Sequence, residues 1–211
     1  MRLEYRAKKP KAAVVLVGKG VTFDSGGMAP KLAREIVRSK YDVAGAAAVA
    51  AAMRTVAEDE PALKVVALLP IVEHVPSGSA LRPGDIVTMV DGTTVEIENA
   101  DAEGRLLVAD ALGYAARFHP DVMIDLATLS SGCAEALGHE VAGMFANDDA
   151  LAGQLEVLGR RTGDRVWRLP LSIDHRDALE SDWADLRNAP QVGGSLPASA
   201  AFLRHFVPGG V

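Results

Sequence analysis

"KAAVVLVGKG", residues 11–20, is an unbroken apolar run closed by glycines. A strand with water on one side alternates apolar and polar residues, so a continuous run is the pattern of a strand covered on both faces. Two later stretches repeat it: "KVVALLPIVE" (64–73) and "DVMIDLATL" (121–129). Between the first two lies "DVAGAAAVAAAMRTVAED" (42–59), whose small residues let a helix lie close on a sheet and whose Asp42 is placed to cap its start. That is a strand, helix, strand unit. Further on, "IVTMVDGTTVEIE" (86–98) alternates on both sides of Asp91-Gly92, which predicts a hairpin with a type I′ turn. Apolar residues at helical spacing in "GRLLVADALGYAARF" (104–118) predict a helix ended by His119-Pro120. A helix over 149–163, a short strand over 165–171 and a helix over 198–207 complete the reading. The class is α/β: a mixed, largely parallel central sheet with helices on both faces, in one domain.

The bulk numbers agree with a packed globular chain. Its 211 residues are 49% hydrophobic and 24% charged, enough for one sizeable core. A net charge of −6, with no basic run longer than "RAKKPK" (6–11), argues against nucleic acid as the main partner. The single cysteine, Cys133, makes no intrachain disulfide and fits a reducing compartment, hence a cytoplasmic protein. "AAVVLVG" (12–18) is too short to span a bilayer, so no membrane role is expected.

In such sheets ligands sit beyond the carboxyl ends of the strands. That rim receives "GKGVTFDSGG" (18–27), "EHVPSGSALRPGD" (73–85) and "TLSSGCAEALG" (128–138). The first is glycine-rich yet lacks the spacing of a phosphate loop. It carries Lys19 and Asp24, with Lys31 close behind, and Asp42 stands at the mouth of the Ala-rich helix. In "ENADAEGRLLVAD" (98–110), Asp101, Glu103 and Arg105 fall at alternate positions just where the helical pattern begins. Carboxylates crowded together repel unless protonated or neutralised, and a pair of divalent cations about 3.5–4 Å apart neutralises several at once. Each residue taken singly also reads as an ordinary solvated, capping or salt-bridging side chain. None of His74, His119, His139, His175 and His205 shows HExxH spacing, and all five are set aside as ligands. Cys133, beside Ser130 and Ser131, lacks nameable catalytic partners and reads as a small buried residue.

Five ordered blocks, "VGKGVTFDSGG" (17–27), "KYDVAGAAAV" (40–49), "PSGSALRPGDI" (76–86), "NADAEGRLLVADAL" (99–112) and "GDRVWRLPL" (163–171), resemble successive blocks of the leucyl aminopeptidase (cytosol aminopeptidase) family. The resemblance implies a metal-dependent aminopeptidase that removes the N-terminal residue of a peptide with a water activated by two metal ions, Zn or Mn, with Mg possible. It places the metal ligands on Lys19, Asp24, Asp42, Asp101 and Glu103, and the catalytic lysine on Lys31. Arg105 falls where the family holds a bicarbonate ion thought to act as general base, and Thr128 and Leu129 where backbone contacts the peptide. Lys19 can ligate only as the neutral amine, whereas Lys31 polarises the scissile carbonyl as a cation. Family members also assemble as hexamers, which implies a homo-oligomer.

Three departures stand out. Ala100 replaces a threonine of the family's block, and Ser39 stands where a specificity pocket usually has an apolar residue, which leaves leucine preference open. The third is length: the family has an additional amino-terminal domain and continues past "AAFLRHFV", so residues 1–211 read as a partial catalytic domain. A catalytically impaired member serving as scaffold or peptide-binding subunit is the alternative reading. A two-metal phosphoesterase is a third, short of the histidines expected of it.

Overall fold

The computed structural model describes all 211 residues. Along the chain run β1 (Arg2–Arg6), β2 (Ala13–Gly18), β3 (Gly20–Asp24), the short helix α1 (Ala33–Ile36), a 3-10 turn over Ser39–Val43 and the long helix α2 (Ala44–Asp59). Next come β4 (Lys64–Leu68), β5 (Ile71–His74), the hairpin β6 (Ile86–Thr88) and β7 (Thr94–Glu96), then α3 (Glu103–Ala115) and β8 (Val122–Leu126). The remainder holds α4 (Gly132–Leu137), β9 (Ala142–Met144), α5 (Asp149–Thr162), β10 (Val166–Arg168), α6 (Ile173–Asp177), β11 (Leu186–Arg187) and α7 (Ser195–His205). No helix is long and apolar enough to cross a membrane.

The main sheet has the order β1-β4-β2-β8. β2 is parallel to both β4 and β8, while β1 closes the β4 edge antiparallel. Its two faces explain the unbroken apolar runs. Val15, Val17, Val66 and Leu68 join the larger core with Val108, Leu112 and Phe202 of α3 and α7. Val14, Leu16, Val65 and Ala67 point the other way, against Ala46, Val49 and Met53 of α2. With side chains alternating sides, only a strand buried twice needs every position apolar.

The helix over the second face lies close because glycine permits it. A Cβ on Gly45 would sit 2.0 Å from the Leu126 carbonyl oxygen, and one on Gly18 would sit 2.6 Å from the Gly45 oxygen. Both obstacles are backbone, which has no rotamer to yield. Gly45→Ala is therefore expected to destabilise by at least the ~1–3 kcal/mol typical of overpacking, read as a lower urea midpoint. An unchanged midpoint would refute the close-packing explanation.

Three local expectations are corrected. "KVVALLPIVE" is not one strand: Pro70 has no N–H for the ladder, so β4 ends before it and β5 turns to pair in parallel with β3. The hairpin at Asp91-Gly92 forms, but Val90–Gly92 makes a three-residue connection. Gly92 N–H donates to the Met89 carbonyl, and within the turn only Gly92 has positive φ, whereas type I′ needs two such residues. Asp42 does not cap α2, whose N-cap is Val43, because its carboxylate is drawn away to Lys19 and Thr128.

Candidate metal centre

The β3–β5 pair prolongs the sheet beyond the ends of β2 and β4, and the site lies there. Lys19 sits between β2 and β3 and is 4% exposed. Its side chain runs over Gly104, where a Cβ would come within 2.5 Å of the amine. Nζ donates to Asp42 Oδ1 at 2.8 Å and to the Thr128 carbonyl at 2.9 Å, and lies 3.5 Å from Glu103 Oε1. Thr128 Oγ1 donates to the same Asp42 oxygen at 2.6 Å.

A second cluster forms around Lys31. Gly26 and Gly27 both have positive φ, and a Cβ on Gly26 would strike the Ala29 carbonyl at 2.4 Å. The tight turn these glycines permit returns Lys31 to the end of β3, where its N–H donates to the Ser25 carbonyl. Its amine lies 3.0 Å from Asp24 Oδ2 and donates to Asp101 Oδ1. Burial alone would lower the Lys31 pKa, but the bonds to Asp101 and Asp24 outweigh it and hold the amine above its usual value.

The two clusters meet across Asp24, His74 and Glu103, whose donor atoms all lie within 4.8 Å of one another. Glu103 is the anomaly: it is 6% exposed, and neither carboxylate oxygen has a hydrogen-bond partner. Burial pushes its carboxyl pKa up; Lys19 opposes this and Asp24 reinforces it. Four carboxylates, Asp24, Asp42, Asp101 and Glu103, thus face two lysines, and a buried carboxylate without donors is costly unless a cation completes it. That is the fit test for a divalent ion, and these residues meet it.

All five proposed ligand residues and Lys31 are gathered here. Thr128 belongs to the Lys19 cluster, whereas the Leu129 side chain packs against the larger core. Arg105, on the first turn of α3, is 3% exposed and donates to the Asn188 carbonyl at 2.7 Å; burial lowers its pKa to about 10, which still leaves it a cation at neutral pH. Ser39 is buried but turns its hydroxyl back to the Ile36 carbonyl at 2.6 Å.

Two residues were missed in the sequence. His74, set aside with the other histidines, stands in register with Asp24 across the β3–β5 pair. Its neighbours come from three separate segments, and no short spacing marks that. Asn188 is fully buried and clamps the loop leading into α3. Its Oδ1 accepts from the Glu98 and Asn99 N–H groups, and its Nδ2 donates to the Asn99 and Ala102 carbonyls. These partners lie 86 to 90 residues upstream, beyond the reach of any local motif.

The comparisons with known proteins bear on this geometry. The family model described as "Cytosol aminopeptidase family, catalytic domain" matches residues 1–210. A "Probable cytosol aminopeptidase" of Burkholderia pseudomallei (strain 1710b) is 50% identical over 206 residues, covering 97% of this chain and 41% of that protein. A protein of the same description from Chlorobium luteolum is 48% identical over 203 residues, covering 96% and 40%. Among solved structures, the bottromycin maturation enzyme BotP in complex with Mn superposes with a TM-score of 0.94 at 42% identity, covering 100% of this chain and 46% of that one. The cytosol aminopeptidase of Coxiella burnetii gives a TM-score of 0.93 at 39% identity, covering 98% and 45%. The chain therefore spans about two fifths of the length of the curated relatives it matches. Fold, motif order and family model converge: this chain belongs to the cytosol aminopeptidase family and corresponds to sequence of its catalytic domain.

Proposed function

We propose that this chain carries the active site of a metal-dependent aminopeptidase, releasing the N-terminal residue of peptides, with Lys19, Asp24, Asp42, Asp101 and Glu103 as ligands of two divalent ions. The observation that carries the reading is Glu103: a buried carboxylate without a hydrogen-bond donor, with an Asp24 oxygen within 4.8 Å. A related structure holding Mn supports it, with Zn the other candidate metal and Mg possible. Bound ions would supply a water acidic enough to attack at neutral pH and positive charge for the carbonyl oxygen.

The chain's own groups do the rest. Lys19 would ligate through its amine; here that amine donates to Asp42 and to the Thr128 carbonyl and keeps Asp42 in place. Lys31 remains an ammonium at the edge of the cluster, where it donates a hydrogen bond to the scissile carbonyl and the oxyanion derived from it. Arg105, a buried cation close to Glu103, would hold an anion such as bicarbonate, which would supply a base beside the metal centre. The backbone of Thr128 and Leu129 lines the peptide. A homo-oligomer, hexameric by family likeness, and a cytoplasmic setting belong to the same proposal.

Release of amine from leucine and alanine anilides by the purified chain with Mn or Zn tests the reading. Turnover that requires metal supports it; a folded, metal-loaded protein without turnover supports a scaffold instead. Lys31→Met should lower kcat by about 10²–10³-fold, as loss of an oxyanion donor does, with KM little changed. An equal loss confined to KM would show that Lys31 only binds substrate.

A further inference from the structure

We propose that His74 is an additional ligand of the metal centre, contributing an imidazole nitrogen beside the oxygens of Asp24 and Glu103; this rests on the two-metal reading above. Three independent placements argue for it. The parallel register of β3 and β5 sets His74 directly against Asp24. The imidazole Nε2 lies 3.7 Å from Glu103 Oε2, which like Oε1 has no hydrogen-bond partner. Gly27 closes over the ring, since a Cβ there would sit 2.5 Å from Nε2 and from Cε1, and its φ of +58° suits glycine alone. The ring is thus boxed in with its nitrogen facing the carboxylates and only 14% of the side chain exposed.

Ligand atoms around one ion, each bonded at about 2.0–2.2 Å, lie up to about 4.4 Å apart. The Asp24, His74 and Glu103 donors, all within 4.8 Å of one another, need only a small side-chain turn to share an ion. Nε2 lies 3.1 Å from the Ala100 carbonyl, a contact it makes as a donor. Ligation needs a lone pair on that nitrogen, so ion binding exchanges one contact for the other, and the neutral ring carries its proton on Nδ1 instead. Nothing is gained or lost in net charge. The consequence is selectivity: an imidazole donor raises the preference for Zn over Mg above what the carboxylates and the Lys19 amine give.

The test uses the protein with its histidines alone labelled with 15N and loaded with Mn(II). Pulsed electron paramagnetic resonance should show a 15N coupling, absent from His74→Asn; Lys19 retains 14N, whose couplings are distinct from those of 15N. Calorimetric titration of His74→Asn and His74→Gln should show Zn affinity lower by at least about tenfold, with Mg affinity changed by less than about threefold. Stoichiometric Mn binding with no histidine coupling, or unchanged Zn affinity in both folded variants, would overturn the proposal. Failure of the wild-type chain to bind Mn or Zn at all would instead overturn the metal-centre reading on which it stands.

Discussion

Glu103→Gln should lower metal-dependent turnover by about 10³-fold or more, and yet leave the chelated, metal-free protein at least as stable as the parent. The first half follows from what the ions supply, several kcal/mol of transition-state stabilisation at about 1.4 kcal/mol per tenfold in rate. Glu103 lies between the Lys19 cluster and the Lys31 cluster, so it is the residue whose loss touches both. The second half follows from burial. Its carboxylate has no hydrogen-bond donor and lies near Asp24, and these pressures raise its pKa. Glutamine keeps the shape and removes the charge. Most buried substitutions lower stability and function together; here they should part. Thermal unfolding in chelator beside anilide turnover with Mn checks both halves. A large drop in melting temperature would mean that the carboxylate stabilises the fold, contrary to this account.

Asn188→Ala should do the reverse, losing stability first and metal affinity as a result. Removing the side chain strands the N–H groups of Glu98 and Asn99, each an orphan worth about 1–3 kcal/mol if water does not replace the lost acceptor. The expected loss is thus on the order of 2–5 kcal/mol. The loop that Asn188 releases carries Asp101 and runs into Glu103, and Arg105 donates to the Asn188 carbonyl. Metal affinity should therefore fall by about 10–100-fold, the range seen when supporting shells are removed. Urea unfolding and calorimetric titration measure the two effects. A variant with unchanged affinity would show that the loop holds its shape without the clamp.

The sequence carried much of this, for identifiable reasons. The run at 11–20 and the first half of 64–73 declared interior strands because both faces are covered, as the alternation of Val15 and Val17 against Val14 and Leu16 shows; the run at 121–129 proved instead to be the edge strand β8, with Leu126 exposed. Lys19, Asp24, Asp101 and Glu103 were legible because they sit in short dense blocks of unusual composition, which the family resemblance reinforced. What stayed hidden depends on contacts between distant segments. Pro70 marked a break within a run that hydropathy alone joined. Asp42 had two plausible uses, and only the approach of Lys19 and Thr128 decided between capping and the site. His74 gained its place from strand register, and Asn188 from a loop about ninety residues away in the chain.

The central claim is that these side chains converge to hold two divalent ions. Equilibrium dialysis against Mn or Zn, followed by elemental analysis of the chain and of Glu103→Gln, tests it most directly. The account predicts two ions per wild-type chain and at most one retained by the variant. Equal metal content in the two proteins, or none above background in the folded wild type, would contradict it.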